Sequence, residues 1–313
     1  MQFYECNYQV AHLCSFSLDF NISFLKLSYH SGIIDYNRIE FCSQTYNFKG
    51  GDFNNMKEKI ILLTNDDGIN SEGIYTLYQA LKEDGGFDVR VVAPDKERSS
   101  VGHAITVFHP ISVRKEFKEE GFFGYAVDGT PADCVKIAIN AILEKSPDLL
   151  ISGINRGPNL GESIIYSGTV SAAIEGAILG VPSIAVSIDN TIDPDYNYAA
   201  SFIRRLAGQV IENGGIPSGT LINVNIPDVC EDEIKGVKIT RQSSAKVVDK
   251  FIKRVDPRGK NYYWMDWDFN GEPEDEDSDY GAVKNNYISI TPIHYDMTDY
   301  KVLDHFKKWD IKK

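Results

Sequence analysis

From residue 60 onward the chain alternates short apolar runs with amphipathic stretches, and no other feature restricts the fold as tightly. Ile60–Leu63 is an apolar run of the kind buried on both faces of a parallel sheet. The following segment places Ile74, Leu77, Tyr78 and Leu81 at i, i+3, i+4 and i+7, which makes one apolar helical stripe. It closes near Gly85-Gly86, where left-handed backbone costs little. Val89–Ala93 reads as a second strand, stopped by Pro94, and irregular β structure is expected up to Val127. Thr130-Pro131-Ala132-Asp133 opens a further helix, with Thr as N-cap, Pro in the first turn and an acid at the positive helix end. Leu149–Ser152 and Ser183–Ser187 read as strands, and 169–179 and 198–211 as helices. Repeated βα units of this length predict an α/β fold with a doubly wound, mostly parallel sheet.

Two regions fall outside that alternation. Residues 1–55 hold Cys6, Cys14 and Cys42, are rich in Phe, Tyr, Ser and Asn, and show no sustained periodicity. Lys49-Gly50-Gly51-Asp52 can be encoded by a purine-rich stretch resembling a ribosome-binding site just before Met56. The expectation is that 1–55 is an extraneous or disordered extension and that the protein starts at Met56, which N-terminal sequencing of the native protein tests. After about Pro227, the stretches 241–267 and 286–292 look like hairpins and strands without intervening helices. Their aromatics, Tyr262, Tyr263, Trp264 and Trp267, suit a covered surface such as a subunit contact. The expected division is therefore a catalytic core over 56–227 and a β-hairpin and oligomerisation region over 228–313.

Charge narrows the partners. A net charge of −13 argues against wrapping a nucleic-acid polymer, which needs clustered Lys and Arg. It is compatible with a small phosphate ligand if a cation bound by carboxylates supplies the local positive charge. No apolar stretch approaches membrane-spanning length, the N-terminus lacks the order of a secretory signal, and five scattered cysteines suit reduced thiols in the cytoplasm.

In a doubly wound sheet, ligands bind beyond the carboxyl ends of the strands, and three loops leave those ends with unusual polar content. The first is Asn65-Asp66-Asp67-Gly68. Adjacent carboxylates at a strand end call for a cation or a shared proton, although Asn, Asp and Gly also make ordinary turns. The second, 93–106, carries Ser99 and His103. The third runs from Ser152-Gly153-Ile154-Asn155-Arg156-Gly157-Pro158-Asn159 to Ser167-Gly168-Thr169 at a helix N-terminus, where free N–H groups attract an anion. It is neither a GxxxxGK[ST] nor a GxGxxG loop, which weakens a dinucleotide dehydrogenase reading. Oxygen donors without a Cys or His cluster favour Mg²⁺ or Mn²⁺ over zinc. Such a site suits phosphate-ester hydrolysis.

These blocks, together with Ala93-Pro94-Asp95, Gly129-Thr130-Pro131-Ala132-Asp133-Cys134, Thr240-Arg241-Gln242-Ser243, Asp256-Pro257-Arg258-Gly259 and Ser289-Ile290-Thr291-Pro292, occur in an order that resembles the SurE family of survival-protein nucleotidases. The resemblance runs from about Met56 to Tyr300. It implies a Rossmann-like, metal-dependent phosphomonoesterase acting on nucleoside 5′- and 3′-monophosphates, with short polyphosphate open as a further substrate. It also implies a C-terminal arm that builds a homodimer or homotetramer. By matching motif, Asp66, Asp67, Ser99 and Asn155 would hold the metal, and Asp66, Asp67, Asn159, Ser167 and Thr169 would form the catalytic and phosphate-binding set. Two rivals stay in view: Asp66 as a covalent nucleophile, disfavoured because its acids are adjacent rather than spaced DxD, and a non-catalytic nucleotide-binding stress-signalling module on the same fold. Thr130 and Asp133 read as helix caps, Cys134 as a core residue, Asn155 as a group that can also brace its own loop, and His103 as a loop residue outside the catalytic set.

Overall fold

The structure, a computed structural model, describes residues 19–25, 41–47, 59–83, 86–119, 121–244, 247–269 and 276–311. The readings made above on Cys6, Cys14, Lys49–Asp52, Met56 and Gly85 lie outside the described residues. The chain divides into two units, Met1–Asp52 and Phe53–Lys313. In the first, β1 (Asp19–Leu25) and β2 (Phe41–Asn47) pair antiparallel.

The second unit is built on a nine-stranded sheet. In chain order it contributes β3 (Ile60–Thr64), α1 (Glu72–Lys82), β4 (Asp88–Pro94), the hairpin of β5 (Val113–Lys118) and β6 (Gly121–Val127), α2 (Pro131–Ile137), β7 (Leu149–Arg156), the short α3 (Ser163–Tyr166), α4 (Gly168–Ile178), β8 (Ser183–Ile188), α5 (Tyr196–Glu212) and β9 (Thr220–Ile226). Then come β10 (Gly236–Ile239), β11 (Val247–Val255), β12 (Asn261–Phe269), α6 (Asp279–Lys284), β13 (Tyr287–His294) and α7 (Leu303–Phe306). The strand order is β10-β13-β9-β8-β7-β3-β4-β6-β5. Neighbours are parallel except at β13–β9 and β5–β6. The sequence therefore reads the doubly wound parallel architecture correctly.

Because successive strand residues face opposite sides, the sheet separates two cores. Ile61, Leu63, Ile151, Val186 and Val224 pack on one face with α1 and α5, through Ile74, Leu77, Leu81, Ala200 and Ile203. Leu62, Leu150, Ala185 and Leu221 pack on the other with α2 and α4, through Cys134, Val135, Val170, Ala173 and Ala177. Cys134 is the buried core residue its sequence context suggests. The apolar stripe of α1 is the helical periodicity read from Ile74 to Leu81.

The α2 start also follows its sequence. Thr130 Oγ1 accepts from Asp133 N at 3.1 Å, and Asp133 Oδ2 accepts from Thr130 N at 2.9 Å, a reciprocal capping box ahead of Pro131.

The region after Pro227 departs from its reading in one respect. No helix was expected between 241–267 and 286–292, yet α6 lies there. Its six residues leave too few turns for an apolar period to show. The hairpin was read correctly: β11 and β12 pair antiparallel around a turn in which Asp256 Oδ1 accepts from Arg258 N and Lys260 N, each at 2.8 Å. Tyr262, Tyr263 and Trp264 on β12 are exposed on the chain. β10 and β13, both beyond Pro227, join the main sheet, so it carries strands from either side of that residue. No described helix is long and apolar enough to cross a membrane.

Candidate functional site

The carboxyl ends of β3 and β7 sit side by side in the middle of the sheet, with Thr64 opposite Ser152. Asp66 and Asp67 leave the first and Asn155 lies on the second. The Asn65–Gly68 turn is braced internally. Asn65 Nδ2 donates to Gly68 O at 2.9 Å and Ser71 Oγ at 2.7 Å, and Asn65 Oδ1 accepts from Gly68 N at 3.2 Å. Gly68 has a φ of +97°, a conformation that costs a side-chain-bearing residue energy, and this frees the turn to close under Lys96. Asn65 is thus a structural residue, which leaves the two aspartates as the groups free for other partners.

Asp66 is docked on the N-terminus of α4. The Thr169 hydroxyl donates to Asp66 Oδ1, and the backbone N–H groups of Gly168 and Thr169 also favour its charged form. Burial nonetheless wins and raises the Asp66 carboxyl above its ordinary range. Asp67 is pushed up to about 6, first by burial and then by the charge of Asp66, although Arg156 N donates to its Oδ2 at 3.3 Å. Among the described residues, no Lys or Arg side chain forms an ion pair with either aspartate. Two adjacent, mutually repelling carboxylates, Asp66 buried and Asp67 half-buried, form an arrangement that a hard cation would stabilise.

Two neutral oxygens, on Asn155 and Ser99, were expected beside the carboxylates. Asn155 Nδ2 donates to Gly157 O at 2.7 Å, which braces its own loop and leaves its Oδ1 outside that bond. Ser99 Oγ donates its proton to Glu97 Oε1 at 2.7 Å, so its lone pairs stay available. The loop bearing Ser99 is tied to the aspartates by Arg98 N donating to Asp66 O at 2.7 Å. Among the described residues no three His, Cys, Asp or Glu side chains cluster in a metal-binding group. A cation here would therefore rest on two carboxylates and neutral oxygens, a set that suits Mg²⁺ or Mn²⁺.

The remaining candidates fall into two groups. Ser167 caps α4, its Oγ accepting from Val170 N at 3.1 Å, and Thr169 lies directly against Asp66. Asn159 is buried, and its hydrogen bonds run to β8 and β9 rather than to the aspartates. The 95–112 loop closes over this end of the molecule through Gly102 N donating to Tyr166 O at 3.0 Å. His103 is held by the buried Glu175 of α4, Nε2 to Oε2 at 2.8 Å, and Lys136 Nζ donates to Glu175 Oε1 at 2.7 Å. Burial opposes ionisation of Glu175, but these two partners outweigh it and hold the carboxyl below its usual range. Thr106 is anchored likewise, with its N and Oγ1 donating to Asp133 at 2.9 and 2.6 Å.

Sequence reasoning missed Glu97, Glu175, Ser187, Asn223 and Asn225 as partners of site residues. Glu97 was visible two positions before Ser99. The others lie far from their partners along the chain, and only their polarity within apolar strands or a helix marked them.

Comparison with known proteins identifies the family. The family model described as "Survival protein SurE" matches residues 61–249. The 5′-nucleotidase SurE of Syntrophobacter fumaroxidans is 47% identical over 251 residues, covering 80% of this chain and 99% of the relative. That of Caldanaerobacter subterraneus subsp. tengcongensis is 48% identical over 256 residues, covering 82% and 99%. The crystal structure of the SurE protein from Aquifex aeolicus superposes with a TM-score of 0.69 at 47% identity, covering 79% of this chain and 98% of that one. With a doubly wound sheet, an aspartate pair docked on the helix that follows the glycine-rich loop, and nearly full-length relatives, the chain belongs to the SurE family.

Proposed function

We propose that this protein is a divalent-metal-dependent 5′-nucleotidase that hydrolyses nucleoside monophosphates to nucleoside and phosphate. The observation that carries the reading is the Asp66–Asp67 pair at the end of a central strand, with Asp66 buried against the N-terminus of α4 and, among the described residues, no Lys or Arg ion-paired to either. The names of the relatives, 5′-nucleotidase SurE, support catalysis over a non-catalytic nucleotide-binding module. Asp66, Asp67, Ser99 and Asn155 are the residues that would hold Mg²⁺ or Mn²⁺. When bound, such an ion polarises a phosphoryl oxygen and lowers the pKa of an attacking water. Ser167 and Thr169 border the phosphate at the positive end of α4, and Asn159 supplies an amide from the adjoining loop. The Thr169 hydroxyl proton is committed to Asp66, so its part is to orient that carboxylate. Asp67 is the carboxylate assigned to accept the proton of the attacking water.

The same reading carries 3′-monophosphates and short polyphosphate as further substrates, a cytoplasmic location, and a homodimer or homotetramer built through 228–313 on a core over 56–227. The exposed aromatics of β12 support the last point. The deciding experiment is phosphate release from a panel of 5′- and 3′-monophosphates and short polyphosphates, crossed with Mg²⁺, Mn²⁺ and Ca²⁺. Metal-dependent release from monophosphates is expected, and no release with any cation would overturn the proposal.

A further inference from the structure

Buried polar side chains in the middle of a sheet cost free energy unless they are hydrogen-bonded. The face of the sheet toward α4 is lined by Leu62, Leu150, Ala185 and Leu221, yet farther along the same face β8 and β9 carry Ser187, Asn223 and Asn225. None of the three has any exposed surface. Ser187 and Asn225 are opposite one another in the strand register, and Asn223 lies two residues back on the same face of β9.

Hydrogen bonds from all three converge on one residue. Asn225 Oδ1 accepts from Asn159 N at 2.8 Å. Asn223 Nδ2 and Asn225 Nδ2 both donate to Asn159 O, at 2.8 and 3.0 Å. Ser187 Oγ accepts from Asn159 Nδ2 at 2.8 Å. The backbone N–H, the carbonyl and the carboxamide of Asn159 are thus all specified from beneath. Gly161, two residues on, is held by separate groups: its N donates to Asp279 Oδ2 at 3.0 Å and its O accepts from Gln242 Nε2 at 2.7 Å. A loop that needed only to be folded could be tied by its backbone alone. Here Asn223 and Asn225 fix the backbone of Asn159, and Ser187 fixes the orientation of its carboxamide as well. A carboxamide has two N–H donors. With one directed to Ser187, the second has a defined direction.

We infer that Ser187, Asn223 and Asn225 are positioning residues that act through Asn159, setting its second amide N–H to meet a phosphate oxygen of the substrate. The inference rests on the nucleotidase reading above. It assigns a role to three residues that touch no substrate.

The test is a double-mutant cycle on phosphate release from a nucleoside monophosphate with Mn²⁺, accompanied by thermal melts. Ser187→Ala removes one oxygen and little volume, and should lower kcat/KM about tenfold, while Asn225→Ala should lower it about 100-fold by letting Asn159 shift. In an Asn159→Ala background, Ser187→Ala should cost less than about twofold more, because its effect runs through a side chain already absent. The same factor lost in both backgrounds would show a general structural role and overturn the inference. So would Ser187→Ala and Asn225→Ala enzymes as fast as wild type. If Asn225→Ala fails to fold, the Ser187 cycle decides alone. A wild-type protein that releases no phosphate with any cation would instead overturn the nucleotidase reading and this inference with it.

Discussion

The close approach of Gly168 to Asp66 gives the sharpest prediction. A Cβ added at Gly168 would stand 2.8 Å from Asp66 Cβ, 2.9 Å from Asp66 Oδ2 and 3.1 Å from Pro131 Cγ. Carbon atoms in contact settle at about 3.5–4.0 Å, so Gly168→Ala must push Asp66 and α4 apart by roughly 0.7 Å or more. Relief toward α2 is blocked by the Pro131 ring, so the displacement falls on Asp66. Overpacking of this kind costs about 1–3 kcal/mol. A misplacement approaching 1 Å at a reacting centre costs about 100-fold in rate. The opposing effect is helix propensity, which favours Ala over Gly by up to about 1 kcal/mol and would raise stability if there were room. The assay is kcat for a nucleoside monophosphate with saturating Mn²⁺, beside a thermal melt. A Gly168→Ala enzyme that is more stable than wild type and within about threefold of its kcat would refute the argument that Asp66 is held at contact distance from α4.

Asp66→Asn should abolish turnover with the fold intact, and the rise in melting temperature that Mg²⁺ or Mn²⁺ gives the wild type should vanish; retained activity would remove Asp66 from the site. Ser99→Ala should weaken Mn²⁺ binding by calorimetry without lowering the melting temperature, since Ser99 is exposed and, among the described residues, its hydroxyl bonds to the exposed Glu97. Asp133 is opposed by burial but held below its ordinary range by hydrogen bonds from Thr106 and Thr130. Its folded form binds fewer protons than the unfolded chain, so its contribution is complete above the unfolded pKa of about 3.9 and is lost as pH falls through the lower folded value. Asp133→Ala should therefore cost about 1–2 kcal/mol at pH 7, and the gap to wild type should narrow below about pH 4 in denaturant titrations. Leu150→Ala, in the centre of the sheet, should cost about 2–5 kcal/mol with the metal response retained.

Local chemistry explains what was legible in the chain itself. The 3.6-residue period of α1, the apolar runs of β3, β4, β7 and β8, and the Thr130–Asp133 cap are interactions within a few residues of one another, so they could be read directly. The Asn65–Gly68 turn and the loops bearing Ser99, Asn155 and Ser167 were visible because polar residues at strand ends have no apolar environment to satisfy. Only the tertiary structure decided the rest. β13 enters the main sheet antiparallel to β9, and β10 closes its edge, choices set by pairing between segments distant in sequence. The bond from Thr169 to Asp66 spans 103 positions, and that from Asn225 to Asn159 spans 66. A polar residue inside an apolar strand signals that a partner must exist. The partner is named only when the backbone brings distant residues together, because hydrogen bonding depends on distance and direction in space and not on separation along the chain.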